Sequence, residues 1–261
     1  MSSMPALFIS HGSPMLALAD SPARQFLAGL GRQFLRPKAI VVASAHWETR
    51  GGPAVSLALQ PETMHDFGGF PPTLYQLLYP APGAPAIAER AAQLLEDAGF
   101  AVGRSLDRGL DHGAWVPLRL MYPEADIPVT QVSILRGSTP SEHLKLGTAL
   151  SGLREDGVLV IGSGALTHNL YEFAGNDIDA PVPRWVGEFD EWMASMLGGM
   201  RREALLDYRA RAPHASRNHP TEEHILPLFV AMGAAGSDPT AERIHASHEY
   251  GVLAMDIYAF R

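Results

Sequence analysis

The chain has 261 residues, 46% of them hydrophobic and none of them cysteine, and a formal net charge of −8. This length suits one large α/β domain or two small ones, and the acidity argues against a broad nucleic-acid-binding face, which would be basic. Without cysteine there is no disulfide framework and no thiolate metal site, so any metal must rest on nitrogen and oxygen ligands.

Residues 5–10 form an apolar run that meets His11-Gly12-Ser13-Pro14. Such a run reads as a buried strand of a parallel sheet. Ser21 followed by Pro22 has the pattern of a helix cap and first position, for a helix expected to reach about Phe34. A second strand is predicted over 38–45, running into His46-Trp47, and a further one over 53–59. Residues 63–72 read as a long loop of aromatic and turn residues, 86–98 as a helix, and Asp111-His112-Gly113 as the lead into a short helix over 114–121. A strand over 129–135 and a helix over 141–153, capped by Ser141, come next. The strongly apolar stretch 157–162 predicts a strand, and the segment Ser163-Gly164-Ala165-Leu166-Thr167-His168-Asn169 lies at its end. Helices are expected over 184–197, 201–208 and 222–235, with an irregular polar segment over 214–221 and a final strand or hairpin over 245–257.

Strands alternating with helices, without repeat or linker, predict one α/β domain over 1–261. Its mostly parallel central sheet would be flanked by helices, with the site at the carboxyl ends of the strands. No run approaches the roughly 18 apolar residues of a membrane span. The N-terminus lacks a basic region before an apolar one, so no secretory leader is expected and a cytoplasmic protein is.

His11, His46 and His168 each follow an apolar strand and sit beside small residues, which lets a ligand approach closely. Neutral imidazole is the commonest metal ligand, so His11 and His46 form a candidate metal pair. His112 reads equally as an acid/base group on a loop or as a bystander behind a capping Asp111. Glu222, Glu223 and His224 bring three potential ligands to one helix end. His65 reads as stabilising its loop and His143 as exposed on a helix; the sequence does not assign His214, His219, His245 or His248. Gly162-Ser163-Gly164 lacks the further residues of a dinucleotide or nucleotide loop, and neither a Gly-x-Ser-x-Gly elbow nor a His-Glu-x-x-His helix occurs.

Six segments in order carry a resemblance: Leu7 to Pro14, Val41 to Trp47, His65-Asp66-Phe67-Gly68-Gly69-Phe70-Pro71, Tyr79-Pro80-Ala81-Pro82-Gly83, Asp111-His112-Gly113-Ala114-Trp115 and His168-Asn169-Leu170. Together they resemble the 4,5-DOPA extradiol dioxygenase-like family, within the class III extradiol ring-cleavage dioxygenases. The resemblance implies a single α/β domain holding mononuclear non-haem Fe(II) or Zn(II). It implies His11 and His46 as metal ligands and His168 as the active-site base or a further ligand. His112 would be a neighbouring acid/base group, and His224, or alternatively Glu223, the third ligand. The implied reactants are a catechol-type, DOPA-like diol and O2, and the product a muconic semialdehyde.

Phe67, Phe70 and Trp115 read either as walls for an aromatic ring or as ordinary packing. Two other functions use the same residues: a zinc-dependent hydrolase, and a non-catalytic zinc-binding relative. No nucleic-acid or membrane partner is expected, and the protein is expected to be a monomer or small homo-oligomer.

Overall fold

The computed structural model describes residues 3–173 and 175–261. Met1 and Ser2, on which part of the leader expectation rests, lie outside them. In chain order the elements are β1 (Ala6–Ser10), α1 (Pro22–Leu30), β2 (Ala39–Thr49), β3 (Ala54–Ser56), α2 (Pro85–Asp97), β4 (Gly103–Ser105), α3 (His112–Met121) and β5 (Val129–Leu135). They continue as α4 (Pro140–Ala149), β6 (Val158–Gly164), α5 (Arg184–Gly198), α6 (Arg202–Leu206), α7 (Tyr208–Arg211), α8 (Ala215–Asn218) and α9 (Leu226–Ala234). The chain closes with β7 (Ala241–His245), β8 (His248–Glu249), β9 (Leu253–Ala254) and β10 (Ile257–Phe260).

Eight strands form the central sheet in the order β4-β3-β5-β2-β6-β1-β10-β7. Its heart is parallel: β5, β2, β6 and β1 all run the same way, while β10 and β7 add an antiparallel edge. The run-like hydrophobicity of these strands follows from burial on both faces. Phe8, Val41, Val132 and Val160 pack on one side against α2, α4, α5 and α9. Their chain neighbours Leu7, Val42, Leu159 and Ile161 pack on the other against α1 and α3. The architecture is thus a single α/β domain with a mainly parallel sheet between helices. No helix among the described residues is long and apolar enough to cross a membrane.

Several boundaries move. The first helix stops at Leu30 rather than Phe34, where the poor helix formers Gly29 and Gly31 cluster. The cap of α4 is Thr139, not Ser141: Thr139 and Glu142 complete a reciprocal capping box with Pro140 at the first position. The expected 201–208 helix divides into α6 and α7. Residues 222–225 make turns and α9 starts at Leu226, with Pro227 in its first turn. The C-terminal segment folds into four short strands, from β7 to β10.

The strand predicted to end at Ala45 runs on to Thr49. Its register against β5 jumps from Ser44↔Ser133 to Glu48↔Ile134, so residues 45–47 bulge out of the ladder. A bulge re-aims side chains, and this one carries His46.

Candidate metal centre

His11 follows the last residue of β1, and its backbone N–H donates to the Gly164 carbonyl at 2.9 Å on neighbouring β6. His46 leaves the bulge of β2, its N–H donating to Ser44 Oγ at 3.2 Å. His224 arrives on the turn before α9. That turn packs so close to β6 that a Cβ on Gly164 would sit 2.0 Å from the His224 carbonyl oxygen. Ala165 N–H donates to the same carbonyl at 2.8 Å. The Gly-Ser-Gly end of β6 therefore serves close packing rather than phosphate binding.

The three imidazoles converge, with one ring nitrogen of each within 4.8 Å of the others. His11 Nε2 and His46 Nε2 are 3.0 Å apart. In His11 and His224 the other ring nitrogen fixes the tautomer. Ser163 Oγ donates its one hydrogen to the Gly113 carbonyl at 2.5 Å, so it must accept from His11 Nδ1–H at 3.0 Å. His224 Nδ1–H donates to Glu223 Oε1 at 3.0 Å. His46 Nδ1 faces Asp66 Oδ2 at 3.7 Å. In His11 and His224 Nε2 is thereby left as a bare lone pair, the outer-partner arrangement of metal-ligating histidines. At 3.0 Å the Nε2 atoms of His11 and His46 are close enough to share either a proton or a cation. Nitrogens about 2.1 Å from one ion, at roughly a right angle, stand about 3 Å apart.

Burial reinforces this. It holds His11 and His224 well below the usual histidine pKa, with neighbouring imidazoles adding to the effect. It also lowers His46 to about 4, with His112 contributing. Ligation requires neutral imidazole, and at neutral pH these rings are neutral. The donor set fits a divalent metal that accepts nitrogen ligands.

Glu223 does not join His11 and His46; it groups with His168 and His224. The His168 ring stacks on His224 with centroids 3.5 Å apart and planes 8° apart. Burial lowers His168 to about 4 as well. His112 opens α3 directly behind its cap, Asp111, whose carboxylate accepts from Ala114 N–H at 3.2 Å. Asp111 is thus the helix cap, and His112 behind it lines the cleft.

Asp66 was not singled out by the sequence reading. Its carboxylate accepts from His112 N–H at 2.9 Å and lies 3.1 Å from Nδ1 of that ring through each oxygen. Burial pushes Asp66 up, but the bonds from His112 outweigh it and hold the carboxyl at about 2.

Other histidines separate from the centre. His65 Nε2 lies 3.0 Å from the Leu77 carbonyl, as a loop-stabilising residue would. His143 is fully buried, not exposed. It accepts from Leu135 N–H at 3.0 Å and donates to the Thr139 carbonyl at 2.8 Å, tying α4 to β5. His219 is buried against the Leu166 carbonyl at 2.8 Å. His214 meets Glu188, His245 meets Ser247, and His248 meets Asp190.

A cleft of about 380 Å³ opens over the centre. His46, His112, His168 and His224 form its floor, with Phe67, Phe70, Leu170, Phe173 and Leu253 around them. Trp115 is not a wall: it is fully buried, its indole N–H donating to the Met64 carbonyl at 2.9 Å.

Residues 5–261 match the family described as the catalytic LigB subunit of aromatic ring-opening dioxygenase. The chain is 46% identical over 257 residues to the 4,5-DOPA dioxygenase extradiol of Beta vulgaris, covering 97% of this chain and 95% of that protein. It is 40% identical over 259 residues to the 4,5-DOPA dioxygenase extradiol of Escherichia coli K12, covering 97% and 93%. The crystal structure of an uncharacterized protein from Escherichia coli K12 superposes with a TM-score of 0.81 at 34% identity, over 98% of this chain and 99% of that one.

Proposed function

The chain belongs to the LigB family of aromatic ring-opening dioxygenases and is an extradiol-type enzyme, and we propose that it cleaves a catechol-type ring with O2 to give a muconic semialdehyde. The observation that carries this reading is the convergence of His11, His46 and His224, each with its second ring nitrogen turned to a partner. These three residues would hold one mononuclear metal. When bound, the metal supplies Lewis acidity toward the vicinal hydroxyls and, as Fe(II), the redox capacity that zinc lacks.

The chain's own residues orient the ring and handle protons. His168 lines the cleft beside His224 and is held neutral by burial, so its proton-accepting form predominates at neutral pH. It takes the proton of a substrate hydroxyl as general base. His112 has Nδ1 tied to Asp66, so Nε2 is the atom left to hold or return a proton. The anionic Asp66 stabilises positive charge on that ring. Phe67, Phe70 and Phe173 pack the aromatic face and exclude water. The name shared by the relatives makes L-DOPA the first diol to try.

Anaerobic reconstitution with Fe(II), and separately with Zn(II), followed by oxygen uptake on L-DOPA and simple catechols tests the proposal. Uptake with a new yellow chromophore in the Fe(II) sample alone is the expected result. No uptake, despite one bound iron per chain, would overturn the ring-cleavage reading.

A further inference from the structure

Residues 45–47 leave the ladder between β2 and β5, so the pairing that holds the rest of β2 does not hold His46. A peptide outside a ladder must find other partners for its N–H and its carbonyl. Both ends of His46 are taken. Its N–H donates to Ser44 Oγ at 3.2 Å, and its carbonyl accepts from Arg108 Nη2 at 3.2 Å.

The two bonds lead to one carboxylate. Ser44 Oγ donates to Asp111 Oδ1 at 2.6 Å, and Arg108 Nη2 donates to Asp111 Oδ2 at 2.8 Å. Arg108 Nη2 carries two hydrogens, one for the His46 carbonyl and one for the carboxylate, so a single nitrogen ties the bulge to Asp111. Asp111 is itself fully buried and fixed from two further sides. It accepts from Gln131 Nε2 on β5 at 2.8 Å and from Ala114 N–H at 3.2 Å as the cap of α3. The Arg108 guanidinium also lies 5.2 Å over the ring of Trp47, the next residue of the bulge. Gly113 closes the seat from below, since a Cβ there would meet Ser44 Oγ at 2.5 Å and His46 Cδ2 at 3.1 Å.

We infer that Arg108, anchored on Asp111, is a positioning residue for the metal centre: it grips the His46 peptide and so aims the His46 imidazole at the ring nitrogens of His11 and His224. The inference rests on the metal-centre reading above. Arg108 acts through His46, so its loss should weaken metal binding while His11 keeps its bond to Ser163 and His224 its bond to Glu223.

Zn(II) affinity, measured on the full chain by competition with a chelator, tests this beside urea unfolding of the metal-free protein. Arg108→Met is expected to bind Zn(II) about 10- to 100-fold more weakly, the usual cost of losing a partner behind a ligand. This change strands the Asp111 charge, so Arg108→Met combined with Asp111→Asn is its companion. Asparagine keeps a capping oxygen and leaves no buried charge unpaired, while the His46 carbonyl still loses its donor. The same loss of affinity is expected in this double variant. Wild-type affinity in either folded variant overturns the inference and makes Arg108 and Asp111 a structural ion pair. In the Co(II)-loaded double variant, the ring-proton signals of His46 are expected to move while those of His11 and His224 stay. Equal movement of all three sets is a general loosening and overturns the inference. Failure of the unmodified protein to bind one ion overturns the metal-centre reading itself, a result distinguishable from any obtained with the variants.

Discussion

Past the carboxyl end of β1, His11 meets His46 and His224 in a group whose charged neighbours, Asp66 and Glu223, sit outside the ring of facing nitrogens. Further along the same sheet, between α5, β7 and β10, Arg243 bonds Asp256 and both oxygens of Asp190, the latter at 2.8 and 2.9 Å, and His248 joins Asp190 at 3.3 Å. Both regions bury ionisable groups. The second meets the cost with opposite charges that it contains, as buried ion pairs must. The first contains like groups, each held neutral by burial, whose ring nitrogens converge. A cluster whose charges are paired within it is a structural device, whereas convergent neutral imidazoles supply the donors that a cation takes.

The comparison breaks if the two clusters respond alike to mutation. The largest expected effect is that of His11→Ala, which should abolish stoichiometric metal binding and lower activity by more than about 10³-fold, read by metal analysis and oxygen uptake. Next is His168→Gln, expected to lower kcat by about 10² to 10⁴ while leaving metal content intact. Loss of metal in that variant would make His168 a ligand. Arg243→Leu should lower folding stability by about 3–5 kcal/mol, because Asp190 and Asp256 are left uncompensated. Denaturant unfolding reads this loss, and the metal stoichiometry of the folded fraction should not change.

Ser163→Ala should weaken metal affinity by about 10- to 100-fold, since His11 loses the partner that fixes its tautomer; competition with a chelator measures it. The smallest effect is on pH dependence. Burial takes His46 and His168 from 6.5 to about 4 in the folded protein. Between those values the unfolded chain binds more protons, so stability falls as pH falls from 6.5 toward 4. The Tm of the metal-free protein should drop over that range, and a flat Tm would contradict the buried neutral state of these rings.

The strand runs that lead to His11 and, four residues past the end of β6, to His168 were legible in the sequence because a parallel sheet buried on both faces demands uninterrupted apolar residues. Strand β5 matches its predicted bounds. His46 was legible as a site candidate, but its bulge was not, since a bulge is a property of pairing with β5 and leaves no local signature. The Thr139 cap was written in Thr-Pro-Ser-Glu, where a capping box and a first-position proline coincide, and Ser141 was a weaker choice by that rule. His143 read as exposed because its partners, Leu135 N–H and the Thr139 carbonyl, are backbone groups that no composition reveals. The pairing of Asp66 with His112 joins positions 46 apart. Its single local cue was a carboxylate in a loop already rich in aromatic and turn residues. Glu223 was visible as an acid beside His224, but its role of holding Nδ1 depended on where the turn before α9 fell.

The most direct test of the metal-centre claim is anomalous diffraction at the iron edge from crystals of the Fe(II)-loaded protein. One ion per chain, bonded to Nε2 of His11, His46 and His224 with Glu223 still on Nδ1 of His224, is the predicted result. An ion bonded by Glu223, or one seated away from His11 and His46, would contradict it.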